Sequence, residues 1–136
     1  MRKYIAALPL LLFCSLVGAL DLKPHAEAKI SLEQWNAYHS EVERNYGNTR
    51  TSHPSHNLET FKIPDKKANI AFTTEGHEAH PSWVTRYVTE KNGSINLSQI
   101  GYFAGEEAPF AKLFNQYEQL NKRVREEMAR KSGQAE

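Results

Sequence analysis

Two periodicities divide the chain. From Ser82 to Phe103, apolar and polar residues alternate on both sides of Asn92-Gly93, the pattern of a β-hairpin. A two-residue type I′ turn needs positive φ at both central positions, which Asn and Gly adopt at least cost. Such a turn fixes the register. Glu90 opposite Ile95, Val88 opposite Leu97, Arg86 opposite Gln99 and Val84 opposite Gly101 share one face. Thr89 with Asn96, Tyr87 with Ser98, Thr85 with Ile100 and Trp83 with Tyr102 share the other. The first face is mostly aliphatic and reads as core. The second carries Trp83, Tyr87, Ile100 and Tyr102, so it is hardly a solvent face either.

The second period is helical. After Ala104-Gly105, Phe110, Leu113, Phe114, Tyr117, Leu120, Val124 and Met128 recur at three- and four-residue steps, which predicts an amphipathic helix starting near Glu106. Acids in its first turn suit the positive end of the helix dipole, and Pro109 is tolerated where amides have no intrahelical partner. Its outer face pairs Glu118 with Lys122, Glu126 with Arg130 and Glu127 with Lys131, which reads as a solvated, charge-balanced surface. Upstream, Ser31 and Gln34 form a capping box, with Ile30 and Trp35 placed as a hydrophobic staple. A helix from Leu32 to about Tyr46 would show Trp35, Tyr38, His39, Val42 and Tyr46 on one side, and Gly47 would stop it.

Between these parts, residues 48–57 are polar and read as loop. Leu58–Ile63 and Ala68–Thr74 are short strands separated by Pro64-Asp65-Lys66. Short connections argue for an antiparallel meander. The expected fold is therefore α+β: an N-terminal helix, a four-stranded antiparallel meander sheet and a C-terminal amphipathic helix, arranged as a roll or two-layer sandwich.

Length and charge then bound what the chain does. Its 136 residues suit one domain, with residues 31–128 as the folded unit, 20–30 as a loose arm and 129–136 as a disordered tail. Residues 1–19 have the form of a signal peptide: Arg2 and Lys3, an apolar run from Ile5 to Val17, and Val17-Gly18-Ala19 as the cleavage site. Processing there would remove Cys14, the single cysteine, and leave the periplasmic or secreted protein without disulfides or thiol chemistry. Without Arg2 and Lys3 the charge is close to balanced, which points away from nucleic acid, and no stable membrane span would remain after cleavage.

Signatures of catalysis are missing: there is no nucleophile elbow, no phosphate loop and no zincin motif. His77-Glu78-Ala79-His80 places its second histidine one residue too early for that motif. Two surfaces stand out instead. Trp83, Tyr87 and Tyr102, with Arg86 on the opposite face, are the candidate contacts for a ligand or protein partner, unless a helix covers the aromatic face. Arg86 sits between Val84 and Val88 and needs a partner such as Glu90, a route to the sheet edge, or a ligand carboxylate. The second candidate is metal. His53 and His56 share the spacing of His77 and His80, and four imidazoles would suit Zn²⁺ if the loops met. His39, on the inner side of the first helix, is either a general base or a satisfied boundary histidine. The expected function is a small exported, non-enzymatic binding domain for a protein or small ligand; the alternative is a metal-binding protein or metal-dependent enzyme.

Overall fold

The computed structural model describes residues 19–134; the proposed leader lies outside them except for Ala19. The fold is α+β. Helix α1 (Leu32–Tyr46) is followed by strands β1 (Thr51–His53), β2 (Leu58–Ile63), β3 (Ala68–Thr73), β4 (Ser82–Lys91) and β5 (Ser94–Phe103), and then by helix α2 (Glu107–Gln134). The strands form one antiparallel sheet in chain order.

Local chemistry sets most of these boundaries. Ser31 accepts from the Gln34 amide while the Gln34 side chain accepts from the Ser31 amide, the reciprocal cap expected at the start of α1. Asn92 (φ 53°) and Gly93 (φ 79°) make the hairpin turn, and all eight residue pairs expected on β4 and β5 are found. Gly47 does not stop α1 in a left-handed conformation; its φ of −57° continues the chain into a 3-10 turn.

Three findings depart from the sequence reading. A fifth strand, β1, lies within the segment read as loop. It is three polar residues long and carries no apolar alternation, so only its connector marks it. That connector, Pro54–His56 closed by a left-handed Asn57, has the same form as Pro64–Lys66 closed by a left-handed Lys67. The arm, moreover, is not loose. Leu20 is buried, Ile30 N–H donates to Phe103 O, and Phe103 N–H donates to Ala28 O, so the end of the arm makes an isolated parallel bridge to the last residue of β5. At the other end α2 continues to Gln134, so the segment read as a tail from Ala129 is helical as far as the described residues reach.

The helices cover opposite faces of the sheet. On one face Trp35, Tyr38 and Val42 of α1, with Leu20 and Ile30 of the arm, pack on Phe61, Ile63, Ile70, Phe72, Trp83 and Tyr102. We call this the inner face. On the other, Phe110 and Leu113 of α2 pack on Val84 and Phe103. Gly101 makes that second approach possible: a Cβ there would lie 2.7 Å from Phe110 Cζ and 3.0 Å from Phe114 Cδ2. Gly101→Ala is therefore expected to destabilise the fold by about 1–3 kcal/mol through overpacking. A urea midpoint unchanged from the parent would show that α2 does not depend on this contact.

The buried tyrosines add a pH dependence. Burial raises the Tyr38 phenol well above its usual 10.0, with Glu41 and Asp21 adding to the rise, and burial also raises Tyr117. Both folded-state values exceed the unfolded ones, so the unfolded chain loses these protons first. The stability they contribute is intact below pH 10 and falls as the pH rises beyond it. Urea denaturation at about pH 9 and about pH 11 should show this loss, and Tyr38→Phe should flatten it.

Candidate functional site

The aromatic pair Trp83 and Tyr102 sits in the core, at 0% and 1% exposure, and presents no surface to a partner. Tyr38 stacks on Trp83 at 4.4 Å, and the Tyr102 hydroxyl donates to His25 O of the arm. The aromatic alternation of β4 and β5 thus marks the face that α1 and the arm cover. Tyr87, further along β4, is half-buried.

The histidines are also kept apart. His53 projects on the face of Leu58 and Thr60, where its Nε2 lies 3.1 Å from Thr60 Oγ1. His56 is exposed in the β1–β2 connector. His80 belongs to the inner face, edge-on to Trp35, with Nδ1 3.1 Å from Thr73 O and 2.8 Å from Thr73 Oγ1. A carbonyl only accepts, so that nitrogen carries the proton. His77 Nδ1 accepts from the Ala79 amide and is therefore unprotonated. Among the described residues, no three His, Cys, Asp or Glu side chains form a group able to hold a metal ion. His39 is the satisfied boundary histidine: Nε2 meets Glu59, Nδ1 is 3.7 Å from Glu43, and the ring stacks on Trp35 at 5.0 Å. Nε2 is engaged by Glu59, while Nδ1 lies beyond hydrogen-bonding distance of Glu43.

Arg86 is placed differently. The registers of four strands align one residue from each into a row across the face opposite α1: Lys62 pairs with Asn69, Asn69 with Arg86, and Arg86 with Gln99. Asn121 of α2 extends the row. Its amide donates to Gln99 Oε1 at 2.8 Å, and Gln99 in turn donates to Phe114 O at 2.7 Å. Four polar side chains thus cross the sheet face between Val84 and Val88, and Asn121 of α2 joins them from above. Six buried side-chain polar atoms lack a hydrogen-bond partner among the described residues, and two of them, Arg86 Nε and Asn121 Oδ1, stand in this row.

Of the alternatives for Arg86, the ion pair with Glu90 is not made. Glu90 lies 4.0 Å from Lys67 at an exposed position, while the Arg86 guanidinium carbon sits 5.4 Å over the Tyr117 ring. Burial raises the Tyr117 phenol, and the Arg86 charge works against that rise, as a cation over the ring should. Beyond the end of β3 the sheet face opens into a cavity of about 360 Å³ lined by Lys62, Pro64, Lys67, Asn69, Arg86, Val88 and Leu97 among others. Ala68 and Tyr87 complete its wall. Of the four candidate contact residues, Arg86 and Tyr87 remain at a cavity. The hairpin register already set Gln99 opposite Arg86, but sequence reasoning missed Lys62, Asn69 and Asn121, because two further strand registers and the packing of α2 are needed to put them in line.

No protein-family model, curated protein or solved structure matches this chain.

One titration is built into the β3–β4 loop. Burial lowers the His77 pKa from its usual 6.5, partly offset by Glu78. The unfolded state therefore takes up the proton first on acidification, and stability is lost as the pH falls from 6.5 toward the lower folded-state value. Amide exchange of Ala79, whose N–H bonds to that imidazole, should speed up across this range relative to β4 and β5. Equal protection on either side would show that His77 is not holding the loop.

Proposed function

We propose that this chain is a small exported binding domain that takes an anionic group on the polar row at Arg86. The observation that carries the reading is the arginine itself. It stands half-buried beside the cavity, has no carboxylate within 4 Å among the described residues, and its Nε–H, itself sealed from solvent, has no partner among them. An arginine in such a place carries a desolvation cost that an anion offsets through charge-assisted hydrogen bonds. Lys62 and Lys67 add charge of the same sign, and Asn69 adds a neutral hydrogen-bonding group. The reading names binding and not turnover, because among the described residues no hydrogen-bonded pair of nucleophile and base lines the cavity. Export is supported by Arg2, Lys3, the apolar run that follows and the small residues ending at Ala19. The balance of 17 Lys and Arg against 16 Asp and Glu speaks for a small anionic partner over a polyanion such as nucleic acid.

The Arg86 Nε–H proton gives a direct readout by NMR. Titration of the mature chain with a panel of organic carboxylates and phosphates should shift that signal saturably for at least one member. Added salt should weaken the effect, and Lys62→Gln, at an exposed position, should weaken binding several-fold. A signal that stays put across the panel would retire the proposal.

A further inference from the structure

We infer that the ligand of the Arg86 cavity is an amphiphilic monoanion: a carboxylate on a hydrocarbon chain or ring of about ten heavy atoms. The inference rests on the anion-binding reading above and adds the nature of the remainder of the ligand. Three observations carry it. The cavity wall is mostly hydrocarbon, from Pro64, Ala68, Val88 and Leu97, although three cationic side chains stand around it. Val88 and Leu97 are a cross-strand pair on the same face as Arg86 and Gln99, two residues along each strand, so the apolar floor adjoins the guanidinium directly. A polyanion such as a phosphate would keep its hydration shell against such a floor, whereas a carboxylate bearing an alkyl or aryl group can bond Arg86 with its head and cover Val88 and Leu97 with its tail. The size follows from the volume. About 360 Å³ lies at the small end of small-molecule sites, which suits a medium-length acid.

The test compares four probes on the mature chain: decanoate below its micelle-forming concentration, acetate, inorganic phosphate and the uncharged 1-octanol. NMR follows Arg86 Nε–H together with the methyl groups of Val88 and Leu97. Decanoate should move all of these in one saturable transition, at least about tenfold tighter than acetate, since burying two methylenes already supplies that factor. Octanol should leave Arg86 unmoved. Val88→Thr, a near-isosteric change at a half-buried strand position, should weaken decanoate and leave acetate unchanged. Lys62→Gln should weaken both acids. If acetate or phosphate moves Arg86 as tightly as decanoate, the hydrocarbon part is overturned and the anion site survives. If decanoate shifts scatter over the surface with Arg86 still, or if no probe moves Arg86, this inference and the reading beneath it both fail.

Discussion

The packing of Tyr38 against Trp83 is the contact on which the rest of the fold depends. The rings lie 4.4 Å apart and 15° from parallel, and Trp83 also meets Phe72 at 5.7 Å and Tyr102 at 5.0 Å. Aromatic groups of this size supply a large share of the apolar area that a small domain buries, and offset stacking adds to that. Trp83 sits on β4, one strand in from the edge of the sheet, and α1 covers it with Tyr38. The same cluster draws in the arm. The Tyr38 hydroxyl donates to Asp21 O and the Tyr102 hydroxyl to His25 O, so each buried phenol satisfies its polar end on the arm's backbone. A segment without regular structure is thereby fixed across one half of the inner face.

With one face filled by α1 and the arm, α2 is left to cover the other, and it covers only part. Its apolar contacts are deepest at Phe110 and Leu113, across Gly101. One turn beyond Tyr117 the buried position is Asn121 instead of an aliphatic residue, and Met128 is 45% exposed. The helix therefore rests on an apolar end and a polar middle. Arg86 lies where that polar middle meets the uncovered part of the sheet, which is why it has both a ring above it and open space beside it.

The legible parts of this fold were those fixed by local rules. Asn92-Gly93 sets the register of β4 and β5 because a two-residue turn leaves no slack, and Ser31 with Gln34 marks the start of α1 because the cap is a reciprocal pair within one turn. Alternation says which side chains share a face but not which face is covered, so Trp83 and Tyr102 could be read as contact surface or core with equal logic. The polar row was hidden for a related reason. Lys62, Asn69 and Arg86 are far enough apart in the chain that two further registers must be known before they line up. The histidine spacing is silent in a similar way: His53 lies on the face of Leu58 and Thr60 while His80 packs edge-on to Trp35 on the inner face, and a shared spacing carries no information about the side of the sheet.

Along β4 the residues facing α2 and the open cavity read Val84, Arg86, Val88, so a charge interrupts an aliphatic column. Replacing that charge with valine would continue the column, remove an unpartnered Nε–H and relieve a desolvation cost that in other proteins amounts to about 1–3 kcal/mol for a buried group left unpaired. Nothing in the helix packing requires arginine: its contact with Tyr117 is a ring face that an aliphatic chain would also cover. Nor does the sheet require it, since Asn69 and Gln99 on either side make no hydrogen bond to its side chain. A position where local stability favours one residue type and the chain holds another is where function is to be sought. The same logic sets Arg86 apart from His39, whose two carboxylate neighbours account for it within the fold.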